Sequence, residues 1–235
     1  MFKRIKKIII CILLLSITTM AVFTYQGYTL YLDVTSETSI ADKVTSIQAS
    51  ENYTKYENIS QMFLNSVVSV EDRRFYERGA IDFISIGRAI VQNIKTFSFS
   101  EGGSTITQQV AKNMYFTQKK QLTRKIAEIF VAFDLEKECS KEEILELYVN
   151  TCYYGSGFYG IKEAANGFYD KEPSDLSLYE STLLAGVPNA PSVYSPKVNL
   201  NLAEERQEKV ISTLVENGYI SQEEANEILK MQKTK

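Results

Sequence analysis

The chain has 235 residues, of which 44% are hydrophobic and 23% charged, so it has room for one large folded domain or two small ones. Its net charge of −3 gives no reason to expect a nucleic-acid partner. The sequence contains no histidine, which excludes a Ser-His catalytic pair and most zinc sites. Any acid–base chemistry must therefore use carboxylates, lysines, cysteines or tyrosines.

The N-terminus predicts a single-pass membrane anchor. Four basic residues within positions 3–7 precede an uncharged stretch from Ile8 to Leu32, and its most apolar part, Ile8 to Tyr25, is just long enough to cross a bilayer. Because basic flanks stay in the cytoplasm, the chain after residue 32 is expected outside the cell membrane. An interfacial aromatic belt is predicted from Tyr25, Tyr28 and Tyr31. A cleaved signal peptide is the alternative, although no clear small-residue cleavage site follows.

The remainder divides into a polar stalk, residues 33–58, and a mostly helical domain, residues 59–235. Apolar residues recur at helical spacing through the domain, and period-2 strand patterns are almost absent. Capping boxes predict three helix starts, at Ser140–Glu143, Ser177–Glu180 and Ser221–Glu224. Cys139 and Cys152 flank one predicted helix, and roughly 20 Å of helix between them exceeds the reach of a disulfide. We therefore expect a buried pair of free thiols.

The stretch Gly102–Asn113 predicts a glycine turn that leads into a helix capped by Ser104 or Thr105. Three residues at helical spacing form one apolar stripe: Ile106, Val110 and Met114. The opposite face is polar and carries one cation. Free N–H groups and the positive dipole at such a helix start suit a phosphate. An ordinary solvated helix face is the alternative.

Two carboxylates stand out. Glu71 follows the apolar run Met62–Val70. It therefore lies either where the chain reaches the surface or at the mouth of a cleft. Glu128 interrupts Ile126–Phe133, a run that is otherwise apolar on every side. A carboxylate in a buried helix is costly unless it is paired or functional. Arg124 precedes it by one helical turn and can face it, which leaves a structural ion pair as the alternative.

Five segments resemble, in order and spacing, the motifs of the peptidoglycan glycosyltransferases of family 51. They are Glu71–Gly79, Gly102–Asn113, Arg124–Glu128, Ile144–Asn150 and Glu180–Pro196. The resemblance implies a mostly α fold, in which a lysozyme-like larger lobe and a small membrane-proximal jaw lobe enclose a long cleft. It also implies polymerisation of lipid II into glycan strands, with inversion and release of undecaprenyl pyrophosphate. A sequence that ends at Lys235 favours a monofunctional transglycosylase.

The resemblance also implies roles for individual residues. Glu71 would be the base that deprotonates the acceptor sugar, and Glu128 would be a second essential carboxylate, which positions cationic groups or a divalent cation, Mg²⁺ or Mn²⁺. Three cations would hold the donor's pyrophosphate: Lys112, Lys120 and Arg124. The other implied substrate-binding residues are Ser104, Gln108, Gln109, Asn113 and Phe75. The expected partners are lipid II, the growing glycan, the membrane and cell-wall synthesis proteins, and moenomycin would bind the same cleft.

Two positions depart from the family pattern. Arg78 stands where histidine is usual, and Asp170 stands where glycine is common. We interpret Arg78 as a tolerated change in a supporting residue. The alternative is that it marks a weakened or specialised enzyme. Two other functions stay open: a lysozyme-like lytic glycosidase that uses Glu71 as an acid, and a poorly active scaffold in a cell-wall complex. The glycosidase would leave Lys112 and Arg124 without a role.

Overall fold

The computed structural model describes residues 2–96, 103–117 and 121–232, and these ranges contain twelve α-helices. They are α1 (Phe2–Glu37), α2 (Ile40–Gln48), α3 (Gln61–Glu71), α4 (Phe83–Thr96), α5 (Ile106–Tyr115), α6 (Leu122–Glu138), α7 (Lys141–Thr151), α8 (Gly160–Tyr169), α9 (Leu178–Gly186), α10 (Pro191–Tyr194), α11 (Leu200–Glu216) and α12 (Gln222–Gln232). The β structure within the same ranges is one isolated bridge, between Tyr153 and Tyr159. The prediction of a mostly α fold is confirmed.

Polar side chains close the helix starts where the sequence predicts them. The three predicted capping boxes form at α7, α9 and α12, from Ser140 with Glu143, Ser177 with Glu180 and Ser221 with Glu224. At α5 the cap is Thr105, and Gln108 completes a fourth box. These bonds satisfy N–H groups that a helix start otherwise leaves unpaired. The boundaries of four helices are therefore set by local sequence.

One core joins the helices of the domain. α5 packs against α6 and α7, while α3 packs against α9 and α11. The predicted apolar stripe of α5 is confirmed, since Ile106 and Val110 are fully buried and Met114 is 5% exposed. Because α3 and α5 contribute to the same core, packing fixes their relative positions. The end of α3 thereby comes to lie beside the first turns of α5.

α1 is a single helix, long and apolar enough to span a bilayer, and its C-terminal part packs against α6. The two helices approach closely at Gly27, where an added Cβ atom would come within 2.5 Å of the Ile126 side chain. This contact explains the predicted run Ile126–Phe133, which is apolar on every side. One side of α6 faces the core and another side is covered by α1.

The tyrosines of α1 do not form a uniform aromatic belt. The rings of Tyr28 and Tyr31 lie 5.2 and 5.6 Å from the ring of Phe130 in α6. The Tyr31 hydroxyl also donates a hydrogen bond to Asp134, while Tyr25 is 70% exposed. Tyr28 and Tyr31 therefore attach α1 to the domain, because aromatic partners and a carboxylate on α6 compete with the membrane interface for them.

Residues of the predicted stalk also lie against the domain. The Tyr53 hydroxyl donates a hydrogen bond to Glu146 of α7. The amide of Asn150 accepts the Thr54 N–H and donates to the Thr54 carbonyl, both at 2.8 Å. Side chains of α7 thus satisfy a backbone that has no regular secondary structure of its own. The domain boundary at residue 58 stays a prediction.

α4 has an exposed apolar face. Its exposed members are Phe83, Ile84, Val91 and Ile94, which are 78%, 66%, 51% and 66% exposed. An exposed apolar face of this size suits contact with lipid or with another protein. Residues 97–102, between α4 and α5 in the sequence, lie outside the described ranges.

Candidate active site

A cleft of about 700 Å³ is lined by side chains of α3, α4, α5, α6 and α11. Seven residues predicted from the sequence line it: Glu71, Ser104, Gln108, Gln109, Lys112, Arg124 and Glu128. They come from three segments that together span more than fifty residues of the sequence. The fold therefore gathers most of the predicted site into one continuous concave surface, which is the usual form of a ligand site.

Glu71 is the last residue of α3 and reaches the cleft at the end of an apolar helix. The Gln109 amide of α5 donates a hydrogen bond to Glu71 Oε2 at 2.7 Å. The hydroxyl of fully buried Tyr148 donates in turn to Gln109 Oε1 at 3.5 Å. Within the described residues Glu71 forms no ion pair. Neutral donors thus orient this carboxylate without tying it to a cation, as a general base requires.

Glu128 has the opposite surroundings. It is 1% exposed, with Arg124 Nε 2.9 Å from one carboxylate oxygen and Lys125 Nζ 3.0 Å from the other. Lys125 also donates a hydrogen bond to Ser104 at 2.7 Å. The predicted contact between Arg124 and Glu128 is confirmed. Two cations share one carboxylate here, so positive charge is in excess at this end of the cleft.

These ion pairs make Glu128 unsuitable for a divalent cation. A metal ion between its oxygens and the cleft would be repelled by Arg124 and Lys125 at close range. In the part of the chain that the structure describes, no group of three His, Cys, Asp or Glu side chains is placed to hold a metal. Mg²⁺ and Mn²⁺ prefer several oxygen ligands. The residues present therefore do not fit the predicted Mg²⁺ or Mn²⁺ site.

The start of α5 is closed, contrary to the expectation that it offers free N–H groups. The Ile106 N–H donates to the Asp72 carboxylate at 3.0 Å, and the Gln108 N–H donates to the Thr105 hydroxyl at 3.0 Å. Thr105 is 1% exposed, so this helix end is also buried. A phosphate cannot bind N–H groups that a carboxylate already holds. Lys112, two turns along α5, remains the cation of this helix that faces the cleft.

Two of the predicted substrate-binding residues that the structure describes do not line the cleft. Phe75 is fully buried, and Lys141 Nζ lies 4.6 Å from its ring centroid, so it supports the core instead of contacting a ligand. The Asn113 amide lies 3.4 Å from Thr151 Oγ1 of α7, on a different side of α5. Lys120 falls outside the described residues. The structure thus gives Phe75 and Asn113 supporting positions, whereas Lys120 stays a prediction.

Cys139 and Cys152 are poorly suited to act as nucleophiles. Cys139 and Cys152 are free, as predicted, although only Cys152 is fully buried. Burial raises the pKa of the Cys152 thiol to about 12 and that of Cys139 to about 11. Both therefore stay protonated at neutral pH, and a thiol is a poor nucleophile. The candidate base of the cleft is a carboxylate.

Comparison with known proteins gives the family, since the family model for "Transglycosylase" matches residues 38–215. The chain belongs to the transglycosylase family. Penicillin-binding protein 1F of Bacillus subtilis (strain 168) is 42% identical to this transglycosylase over 167 residues, which are 71% of this chain and 23% of that protein. Penicillin-binding protein 1A of Neisseria flavescens is 38% identical over 178 residues, 76% of this chain and 22% of that protein. The chain thus spans less than a quarter of the length of these relatives.

A solved structure also matches part of the chain. Penicillin-binding protein 1A of Haemophilus influenzae is 30% identical to the transglycosylase, and the match covers 53% of this chain and 16% of that one with a TM-score of 0.37. Sequence identity and the family model, and not superposition, are therefore the basis of the assignment.

Sequence reasoning missed several residues of the transglycosylase cleft. Lys125 pairs with Glu128, and its position three residues earlier on one helix was an available signal. Asp72 and Tyr148 act through contacts between distant segments, for which the sequence offers no local signal. The wall contributed by α11 includes Arg206, Lys209, Thr213 and Glu216. Their spacing predicts a shared helix face, but not the cleft that this face lines.

Proposed function

We propose that this transglycosylase polymerises lipid II into the glycan strands of peptidoglycan, by inverting transfer with release of undecaprenyl pyrophosphate. The observation that carries the proposal is one cleft with two different carboxylates. Glu71 has no ion pair among the described residues, while Glu128 gathers Arg124 and Lys125. Glycosyl transfer from a pyrophosphate needs both features, a base at the acceptor and positive charge at the leaving group.

In the proposed reaction Glu71 accepts the proton of the acceptor sugar's 4-hydroxyl. The oxygen then attacks the anomeric carbon of the donor, a new C–O bond forms, and the bond from that carbon to the pyrophosphate oxygen breaks on the opposite face. The donor sugar passes through an oxocarbenium-like state. The hydrogen bond from Gln109 keeps one oxygen of Glu71 fixed at 2.7 Å. An oriented base needs no rearrangement at the moment of transfer.

The leaving pyrophosphate takes up negative charge as its bond breaks, and cations of two facing helices line the cleft. Arg124 and Lys125 belong to α6, and Lys112 belongs to the facing α5. Lys112 forms no ion pair with any described residue, so its charge is available to a ligand. Charge-assisted hydrogen bonds to phosphate oxygens are about twice as strong as neutral ones. A glycosidase that acts on finished glycan would make no use of these cations.

The proposal places the cleft on the outer face of the cell membrane, where α1 anchors it next to a lipid-linked substrate. The basic residues that precede the apolar part of α1 support a cytoplasmic N-terminus. Other proteins of cell-wall synthesis are the proposed partners.

The purified chain in detergent should form glycan polymer from lipid II. Glu71→Gln should reduce the rate by about a thousandfold, because a general base contributes a rate factor of about 10²–10⁴. Glu227→Gln, an exposed residue of α12, is the matched control and should retain full activity. An active Glu71→Gln protein would overturn the base assignment. Sugar release from finished peptidoglycan, with no polymer from lipid II, would instead identify a glycosidase.

A further inference from the structure

Arg78 lies behind the cleft wall, between two buried aspartates. It follows a short 3₁₀ turn, Phe75–Glu77, and its side chain is 11% exposed. The guanidinium forms an ion pair with Asp72, and its Nε lies 3.7 Å from Asp82 Oδ2. Asp72 and Asp82 are 7% and 4% exposed. Burying two carboxylates this close together is costly without a shared cation.

Each aspartate holds the start of a different helix. Asp72 accepts the N–H of Ile106, the first residue of α5, at 3.0 Å. Asp82 accepts the Ser85 N–H at 2.8 Å and the Ser85 hydroxyl at 2.7 Å, which caps α4. Aspartate is favourable at a helix start because it satisfies free N–H groups and faces the positive end of the dipole. Arg78 thus connects the starts of α4 and α5.

The connection reaches the candidate base. Glu71 and Asp72 are consecutive residues, and both hold the first turn of α5: Asp72 binds Ile106, and Glu71 receives the amide of Gln109 at 2.7 Å. Thr105 adds a third tie, since its hydroxyl donates to the Ala80 carbonyl at 2.9 Å. A shift of the α5 start away from Asp72 would therefore move Gln109 away from Glu71.

Other charged groups also face Arg78. Arg74 pairs with Asp82, so Asp72 depends on Arg78 for its cation among the described residues. Glu136 of α6 and Lys141 of α7 form an ion pair with each other and lie near enough to interact with Arg78. Burial lowers the pKa of Arg78, against the pull of Asp82 and Glu136, but a guanidinium still stays protonated across the range in which enzymes work.

We propose that Arg78 is a positioning residue for glycosyl transfer: its guanidinium binds Asp72 and Asp82, fixes the start of α5, and so holds Gln109 against Glu71. The inference rests on the proposed function, because it concerns the geometry of the proposed base. The support that Arg78 gives does not change between about pH 5.5 and pH 8.5, since its charge does not. An imidazole at the same place would give that support only while protonated, and the support would be lost as pH rises through its folded-state pKa.

The test compares Arg78→His, Arg78→Lys and Arg78→Gln with the wild type in the full chain, by kcat and KM for lipid II at about pH 5.5 and about pH 8.5. Activities are expressed relative to wild type at the same pH, which removes every pH dependence that the variants share with the wild type. We expect Arg78→His to lose about tenfold in relative kcat as pH rises, Arg78→Gln to lose about tenfold at both pH values, and Arg78→Lys to retain most activity. KM should change little, because the cations of the cleft are untouched.

Thermal unfolding of each variant at each pH separates positioning from folding. A relative kcat of Arg78→His that is the same at both pH values would overturn the inference, as would a loss confined to KM. If Arg78→Gln does not fold, the histidine variant decides alone. A loss of its activity that is matched by unfolding also counts against positioning. A wild type that makes no polymer at either pH would refute the proposed function. If the wild type makes polymer but the relative kcat of Arg78→His is the same at both pH values, only the role of Arg78 is refuted.

Discussion

Glu71 and Glu128 lie on one cleft but in opposite electrostatic surroundings. Glu71 is oriented by the neutral amide of Gln109, whereas Glu128 is enclosed by Arg124 and Lys125. The same side chain can therefore serve as a base in one place and as a holder of cations in the other. The residue type alone therefore does not assign a role; the partners of each carboxylate assign it. Glutamine substitutions at the two positions should accordingly have different consequences, mainly lost activity at Glu71 and mainly lost stability at Glu128.

The largest structural effect is expected for Glu128→Gln. It leaves two cations beside a neutral amide, and removal of one partner from a buried pair costs about 3–5 kcal/mol, reduced here to about 3 because Lys125 is partly exposed. Denaturant unfolding of the protein in detergent should show this loss. Glu71→Gln serves as the matched variant and should unfold within about 0.5 kcal/mol of wild type. Equal stability of the two variants would contradict the contrast between the carboxylates.

Gln109→Met should reduce kcat by tens of times, because it removes the donor that orients Glu71 while keeping the side-chain volume. Hydrogen bonds to a charged group contribute about 1.5–3 kcal/mol. KM for lipid II should stay within about threefold of the wild-type value, since Gln109 carries no charge that could bind the leaving group. Steady-state polymerisation kinetics measure both values. A rise in KM at constant kcat would show instead that Gln109 binds substrate.

Lys112→Met should show the reverse pattern, one helical turn further along α5. Lys112 forms no ion pair among the described residues, so its removal should leave the free energy of unfolding within about 0.5 kcal/mol of wild type. Loss of a charged contact to pyrophosphate should lower kcat/KM by about tenfold or more. Moenomycin binding, followed by fluorescence anisotropy, should weaken as well. Unchanged affinity would remove Lys112 from the proposed donor site.

The smallest effect is expected at Asp170, outside the cleft. Asp170 ends α8 with φ 55° and ψ 45°, a left-handed conformation that glycine adopts without strain. Asp170→Gly should therefore stabilise the protein by about 0.5 kcal/mol. The relief of backbone strain is partly offset because glycine gives the unfolded chain more conformational freedom. Thermal unfolding measures the change, and polymerisation should be unaffected. A destabilised variant would indicate that the Asp170 side chain contributes a contact of its own.

The sequence predicts the helices well because their signals are local. Capping boxes such as Ser140–Glu143 act within four residues, and the stripe of α5 depends only on helical spacing. Arg124 and Glu128 belong to the same class, since one helical turn brings them together. Each of these predictions needed no knowledge of the tertiary fold.

The remaining features depend on segments far apart in the chain. The hydrogen bond from the Ile106 N–H to Asp72, which closes the start of α5, joins residues 34 positions apart, and no local sequence pattern predicts it. Phe75 and Asn113 belong to the family motifs, but a motif does not state whether a side chain faces the cleft or the core. The attachment of Tyr31 to Asp134, 103 residues away, is of the same kind. Prediction from sequence was least successful where tertiary packing decides which way a side chain points.

The contact between α1 and α6 has a geometric consequence for the proposed reaction. α6 presents Arg124, Lys125 and Glu128 to the cleft, while Ile126 and Phe130 of the same helix touch α1. Packed helices lie about 8–10 Å apart. In the proposed topology the departing lipid pyrophosphate is therefore released little more than one helix width from the anchor. The anchor would thereby fix the height of the cleft above the bilayer, so that only substrates whose head group lies at that height can react.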